Sequence, residues 1–141
     1  MAIKEREEEL VASFEIFPDW LEKYEYIIEL GKELPAIDAE YKQDDYLIRG
    51  CQSQVWLHAW KEKGNVRFEA DSDAIITKGI IALLIQVLDN SSPEEIMNAE
   101  LAFVDELGLK EHLSPTRANG LLSMIKQMKL YAVGLQHKEE I

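Results

Sequence analysis

Apolar positions fall along this chain in two different rhythms, and the switch between them sets the expected fold. From Pro18-Asp19 onward, Trp20, Leu21, Tyr24, Ile27 and Ile28 recur at helical spacing and form a broad apolar face, with Gly31 as the terminator. Between residues 45 and 70 the rhythm changes. Tyr46-Leu47-Ile48 and Val55-Trp56-Leu57-His58-Ala59-Trp60 favour strands, Lys63-Gly64-Asn65 marks a turn, and Val66-Arg67-Phe68-Glu69-Ala70 alternates with period two. These segments predict a small antiparallel meander of three strands.

Helical spacing then returns. Ile75, Ile76, Gly79, Ile80, Leu83, Leu84 and Val87 share one helix, with Asp71-Ser72-Asp73 as its N-cap and Gly79 at a tight packing point. Ser92-Pro93-Glu94-Glu95 has the cap, the first-turn proline and the glutamate three residues on that open a short helix. Another short helix ends near Leu107-Gly108. Ser114-Pro115 opens a long last helix with Leu121, Leu122, Ile125, Met128, Ala132 and Leu135 inward, fraying in Lys138-Glu139-Glu140. The expected class is α+β: a three-stranded antiparallel sheet packed against several helices.

At 141 residues the chain reads as a single domain, 1–141, large enough to hold a core without disulfide or metal staples. Its 27 acidic residues against 15 basic ones give a formal net charge of −12, which argues against nucleic acid as a partner. The acidity fits either a well-solvated surface or steering towards a basic partner. Gly79 to Ile85, the longest apolar segment, is far too short to cross a bilayer, so no membrane association is expected. The N-terminal stretch Met1-Ala2-Ile3-Lys4-Glu5-Arg6 is charged from the outset, unlike a secretory signal, and a reducing cytoplasmic location is expected.

The chain has one cysteine, Cys51, in the run Arg49-Gly50-Cys51-Gln52-Ser53-Gln54-Val55-Trp56, on a turn between two expected strands. A cysteine that only fills a core more often lies inside an apolar run. Gly50 permits a positive φ or a close backbone approach, and Arg49 brings a fixed positive charge towards a sulfur that must become a thiolate to react. Arg117 breaks a local rule, because it sets a cation in the first turn of a helix against the positive end of the dipole. It is a candidate for stabilising a thiolate, or else it reaches an acidic neighbour or solvent. Asp71 and Asp73 are better explained as helix caps than as paired acid-base carboxylates. His58, His112 and His137 have no metal-ligand spacing, and His58 shares a sheet face with Trp56 and Trp60.

The octapeptide Arg49–Trp56 closely resembles the active-site segment of the SufE family of sulfur-acceptor proteins. Three further segments resemble that family in the same order: Leu34-Pro35-Ala36-Ile37-Asp38-Ala39-Glu40-Tyr41-Lys42; Ala70-Asp71-Ser72-Asp73-Ala74 with Lys78-Gly79; and Leu113-Ser114-Pro115-Thr116-Arg117-Ala118-Asn119-Gly120-Leu121. The resemblance implies a SufE/NifU-like α+β fold and a protein that takes sulfur onto Cys51 as a persulfide. The donor would be a pyridoxal-phosphate cysteine desulfurase of the SufS/CsdA type, whose turnover the acceptor stimulates. Iron-sulfur scaffold proteins would be the recipients. The pyridoxal phosphate belongs to the desulfurase, and no cofactor of this chain's own is implied. It also places Arg117 near the thiol and makes Gly50, Gln52, Ser53, Asp71 and Asp73 partner contacts.

With no second cysteine to resolve it, a persulfide on Cys51 favours carriage over dithiol redox work. Three rivals remain on sequence alone. A cysteine hydrolase or acyltransferase would use His58 or His112 as base, although neither lies in a recognisable dyad segment. A thiol peroxidase lacks its resolving cysteine. In a non-catalytic interaction module, Cys51 would merely pack.

Overall fold

The computed structural model describes residues 2–138. Two helices open the chain, α1 (Ile3–Glu15) and α2 (Trp20–Lys32), followed by two single 3-10 turns at Ala39–Tyr41 and Asp44–Tyr46. A hairpin of β1 (Val55–Glu62) and β2 (Asn65–Ser72) comes next, then α3 (Ile75–Leu88). The short helices α4 (Pro93–Asn98), α5 (Phe103–Glu106) and α6 (Leu109–His112) lead into the long α7 (Pro115–Gln136). The α+β class is as expected.

The sheet has two strands rather than three. β1 and β2 pair antiparallel from Val55 opposite Ser72 to Glu62 opposite Asn65. The expected first strand is reduced to one bridge, Leu47 to Trp56, and a bond from Ile48 N to Val55 O at 2.8 Å. Tyr46 closes a 3-10 turn and Gly50 turns away at φ 92°, so only Leu47 and Ile48 are extended enough to pair. Alternation in the hairpin sends Val55, Leu57, Ala59, Val66, Phe68 and Ala70 into the core, while Trp56, His58 and Trp60 share the opposite, half-buried face.

Behind the hairpin, α3 is apolar almost all round and forms the centre of the core. It meets α2 backbone to backbone: a Cβ on Gly31 would lie 2.7 Å from Gly79 N, and a Cβ on Gly79 would run into Ile27 O. Gly31 is therefore a contact residue inside α2 and not its terminator. The helix continues to Lys32, and its start is capped by Asp19, which accepts from Glu22 N at 3.0 Å. Ser92 and Glu95 form the expected reciprocal capping box at the start of α4.

α7 buries Leu121, Met124, Met128, Ala132 and Leu135, a stripe with steps of three and four. Leu122 lies one residue off this stripe and is 47% exposed, and Ile125 is only partly buried, so both depart from the expected inward set. The sequence reading assigned no element to α1, whose charged surface masks the buried Ile3, Leu10 and Phe14. Arg6 of α1 donates to the Val87 and Asp89 carbonyls and to Ser91 Oγ, tying that helix to the end of α3. Glu139 and Glu140, where fraying was expected, lie outside the described residues.

Candidate functional site

Cys51 sits on the turn that joins the Leu47–Ile48 extension to β1. The turn is anchored at its start by the Ile48–Val55 bond. At its far end Asp73 Oδ1 accepts from Gln54 N at 3.0 Å, Ser72 Oγ donates to Gln54 O at 2.7 Å, and Asp73 N donates to the same carbonyl at 3.3 Å. Asp73 and Ser72 thus tie the cysteine turn to the end of β2, leaving α3 with Ala74 as N-cap and no side-chain cap bond. The expected Asp71-Ser72-Asp73 helix cap is corrected accordingly. Asp71 is the last acidic residue of β2 and pairs with Lys42 at 3.0 Å and Lys78 at 3.3 Å. Burial works against its ionisation, but Lys42, the Ser72 amide and Lys78 outweigh it, and its carboxyl is held below the usual range.

Between these anchors the turn leans on α7. A Cβ on Gly50 would run into Ser123 Oγ, and a Cβ on Gly120 would lie 3.5 Å from Cys51 Sγ. The thiol points to the Gly120 carbonyl at 3.6 Å. It is half-buried, and burial pushes its pKa above the ordinary value, which favours the protonated thiol.

Cys51 lines a cavity of about 280 Å³. Gln52 and Ser53 of the turn form one wall, with Thr77 and Ile80 of α3 and Met124 of α7 behind them. The opening turn of α7 contributes Ser114, Thr116 and Arg117. α7 starts there because Ser114 Oγ accepts from Arg117 N at 3.3 Å and Pro115 occupies the first helical position. No carboxylate lines the cavity, and among the described residues the Arg117 guanidinium has no ion-pair partner.

The structure thus brings Cys51, Gln52, Ser53 and Arg117 together and leaves other candidates apart. Arg49 is exposed and lines a different groove, with Asp44, Asp45 and Lys126, so the expected placement beside the thiol is not met. Gly50 sets the turn without lining the cavity. Asp73 bonds to Gln54 at the end of the turn, and Asp71 pairs with Lys42 and Lys78. His58 stacks on Tyr41 with centroids 3.6 Å apart and has Nδ1 3.0 Å from Glu69 Oε1, on the outer face of the hairpin. His112 stacks on Trp20, and its backbone carbonyl accepts from Tyr24 Oη. Neither histidine lines the cavity. Among the described residues no three of His, Cys, Asp and Glu converge to hold a metal ion, and no helix is long and apolar enough to cross a membrane.

Sequence reasoning missed Thr77, Thr116, Ile80 and Met124 as cavity residues. Thr77 carried the one available signal, a buried hydroxyl beside Lys78 at the start of a helix that is otherwise largely apolar.

Fold and site together define an α+β domain that holds one cysteine thiol, with no histidine lining its cavity, on a turn clamped between a hairpin and a long helix. A protein-family model described as "SufE: Fe-S metabolism associated domain" matches residues 8–132, and the chain belongs to the SufE family. It is 40% identical over 134 residues to the Arabidopsis thaliana "SufE-like protein 1, chloroplastic/mitochondrial", an alignment that covers 94% of this chain. The chain spans about a third of that relative's length, 36%. Among solved structures, a hypothetical protein from Thermus thermophilus superposes with a TM-score of 0.79 at 21% identity, covering 94% of this chain and 97% of that one, and shares the fold.

Proposed function

We propose that this protein is a sulfur acceptor: it takes the outer sulfur of a cysteine desulfurase persulfide onto Cys51, stimulates desulfurase turnover and passes the sulfur on for iron-sulfur cluster assembly. The observation that carries this reading is the position of the chain's single cysteine, at the mouth of a cavity and on the turn that most resembles the SufE active-site segment. In the transfer, the Cys51 thiolate attacks the outer sulfur of the donor persulfide. The old S–S bond breaks with its electron pair going to the donor cysteine, and the new bond leaves Cys51 as the persulfide.

A half-buried thiol with a raised pKa is a poor nucleophile at rest. The desulfurase must therefore draw the turn outward or supply the charge that stabilises the thiolate. Arg117, unpaired in the cavity wall, is the residue of this chain that performs the second task. Gly50, Gln52, Ser53, Asp71 and Asp73 form the surface that meets the desulfurase, with Asp73 also holding the end of the turn through Gln54. The pyridoxal phosphate remains with the desulfurase. Iron-sulfur scaffold proteins are the proposed recipients. A hydrolase reading loses its base, because His58 and His112 are both engaged elsewhere.

The test is mass analysis after incubation with a matched desulfurase and cysteine. The wild type is expected to gain one or more reductant-labile sulfur atoms and Cys51→Ser none. An equal increment on Cys51→Ser would overturn the proposal.

A further inference from the structure

The composition of the cavity wall stands out against the rest of the chain. The protein has 27 acidic residues, yet none lines this cavity, and Arg117 is the one charged side chain in its wall. α7, all 22 residues of it, contains no Asp or Glu. The same cavity wall carries four hydroxyls, those of Ser53, Thr77, Thr116 and Ser114, the last of which accepts from Arg117 N. Thr77 is the informative one. It is 92% buried, since its exposure is 8%, it lines the cavity, and its hydroxyl has no hydrogen-bond partner among the described residues. Among the described residues no buried side-chain oxygen or nitrogen lacks a partner, so this hydroxyl is open to the cavity, where it is free to donate to a ligand.

We propose that the cavity admits sulfite, which removes the outer sulfur from a Cys51 persulfide and leaves as thiosulfate. This rests on the reading of Cys51 as a persulfide carrier. A space of about 280 Å³ has ample room for a small oxyanion beside the persulfide, so the wall chemistry rather than the volume selects the ligand class. Hydroxyl donors and one guanidinium suit oxyanion oxygens, close to the positive end of the α7 dipole. An amino-acid thiol such as cysteine fits less well, because its ammonium would find no carboxylate there.

The step balances without an outside oxidant. The sulfite sulfur attacks the outer, sulfane sulfur and forms the new S–S bond. The bond to Cys51 Sγ breaks, its electron pair stays on Sγ, and the persulfide proton passes to that sulfur, giving Cys51 thiol and thiosulfate dianion. Burial favours that neutral thiol product. The reaction would discharge sulfur that no scaffold has claimed.

Two measurements test it. The first titrates sulfite into Cys51→Ser protein by amide-resolved NMR and needs no persulfide. Saturable shifts confined to Ser53, Thr77, Thr116 and Arg117 are expected, weakened at least fivefold in Thr77→Val and in Thr116→Val. Absent shifts, shifts spread over all surface cations, or unchanged affinity in both variants would overturn the proposal. The second follows thiosulfate formation from persulfidated protein. Saturation in sulfite is expected, with KM raised about fivefold and kcat within twofold in Thr77→Val. A rate strictly linear in sulfite and equal to that of the urea-unfolded persulfide would overturn it. Loading of Cys51 by the desulfurase is scored separately on the same preparations: failure there defeats the carrier reading, whereas failure of the titration defeats only the sulfite site.

Discussion

Gly120 offers a direct test of how the thiol is held. It lies inside α7, where glycine costs a helix about 1 kcal/mol relative to alanine. A glycine that keeps space for the sulfur would be expected to resist substitution, but the geometry gives the opposite sign. A Cβ built on Gly120 meets a single neighbour, Cys51 Sγ, at 3.5 Å, which is ordinary van der Waals contact. Gly120→Ala therefore gains the propensity term without overpacking, and thermal unfolding of this 141-residue chain should move up by about 2–5 °C. The added methyl also packs against the sulfur of the closed turn. If it recovers up to the ~0.8 kcal/mol of a buried methylene, the closed turn gains by as much as about fourfold over the open one. Alkylation of native Cys51 should slow by up to that factor, and desulfurase-driven loading with it. The two readouts diverge: a more stable protein and a less reactive thiol. A lowered unfolding temperature, or faster alkylation, would refute the contact geometry on which this rests.

Other expectations follow from neighbouring contacts. Asp73→Ala removes the acceptor for Gln54 N, a bond worth about 1 kcal/mol, so urea unfolding should lose about that much while Cys51 alkylation stays within about twofold, because the bond lies outside the stretch that opens; Asp73→Asn should be closer to wild type. Arg117→Ala should slow sulfur acceptance at least about threefold while unfolding free energy stays within about 0.5 kcal/mol, because the guanidinium has no structural partner among the described residues; a large stability loss with unchanged acceptance would instead mark a structural ion pair. Gly79→Ala drives a methyl into the Ile27 carbonyl and should cost about 3 kcal/mol or more in urea unfolding. Native Cys51 should alkylate with a pH midpoint above that of the urea-unfolded chain, since burial raises its pKa. By linkage its contribution to stability is present below the unfolded thiol value and declines as pH rises towards the folded one, a decline that Cys51→Ser should abolish.

The parts legible in the sequence were those fixed by local chemistry. The Ser92 capping box, the alternation through Val66–Ala70 and the Ser114-Pro115 start of α7 each depend on residues a few positions apart. The failures involve competition over longer range. Asp73 satisfies any local rule for a cap, yet Gln54, 19 residues earlier, offers an amide that captures it. Gly31 looks like a terminator until Gly79 is packed against it. Tyr46-Leu47-Ile48 has strand composition, but the turn at Asp44–Tyr46 and the swing at Gly50 leave too short an extended length to pair. For the site, the quoted segments carry Cys51, Ser53, Ser114, Thr116 and Arg117, whereas Thr77 and Ile80 behind them come from α3, where they read in sequence as ordinary positions of a core helix.

Under the proposed function, the clamps on the cysteine turn bear on how a donor would reach the thiol. The anchors from Ile48, Ser72 and Asp73 grip residues 48, 54 and 55, outside the stretch that carries the thiol. Turning Gly50–Ser53 outward can leave those bonds in place. What is lost is the burial of the thiol and its contact with the Gly120 carbonyl, about 1–2 kcal/mol in all. An opening of that size corresponds to an exposed population of about 3–15%, so a desulfurase need contribute little differential binding energy to make the open turn dominant. In the free protein, then, Cys51 should alkylate slowly, and binding a catalytically disabled desulfurase should raise amide exchange through Gly50–Ser53 while Val55–Glu62 stays protected. Alkylation in the complex is read with a reagent small enough to reach the transfer site. Equal exchange with and without the desulfurase, together with rapid alkylation of free Cys51, would show that the turn is already open and would reject partner-driven exposure. Loss of protection through β1 as well would show that the hairpin yields with the turn, and that the anchors are not where the hinge lies.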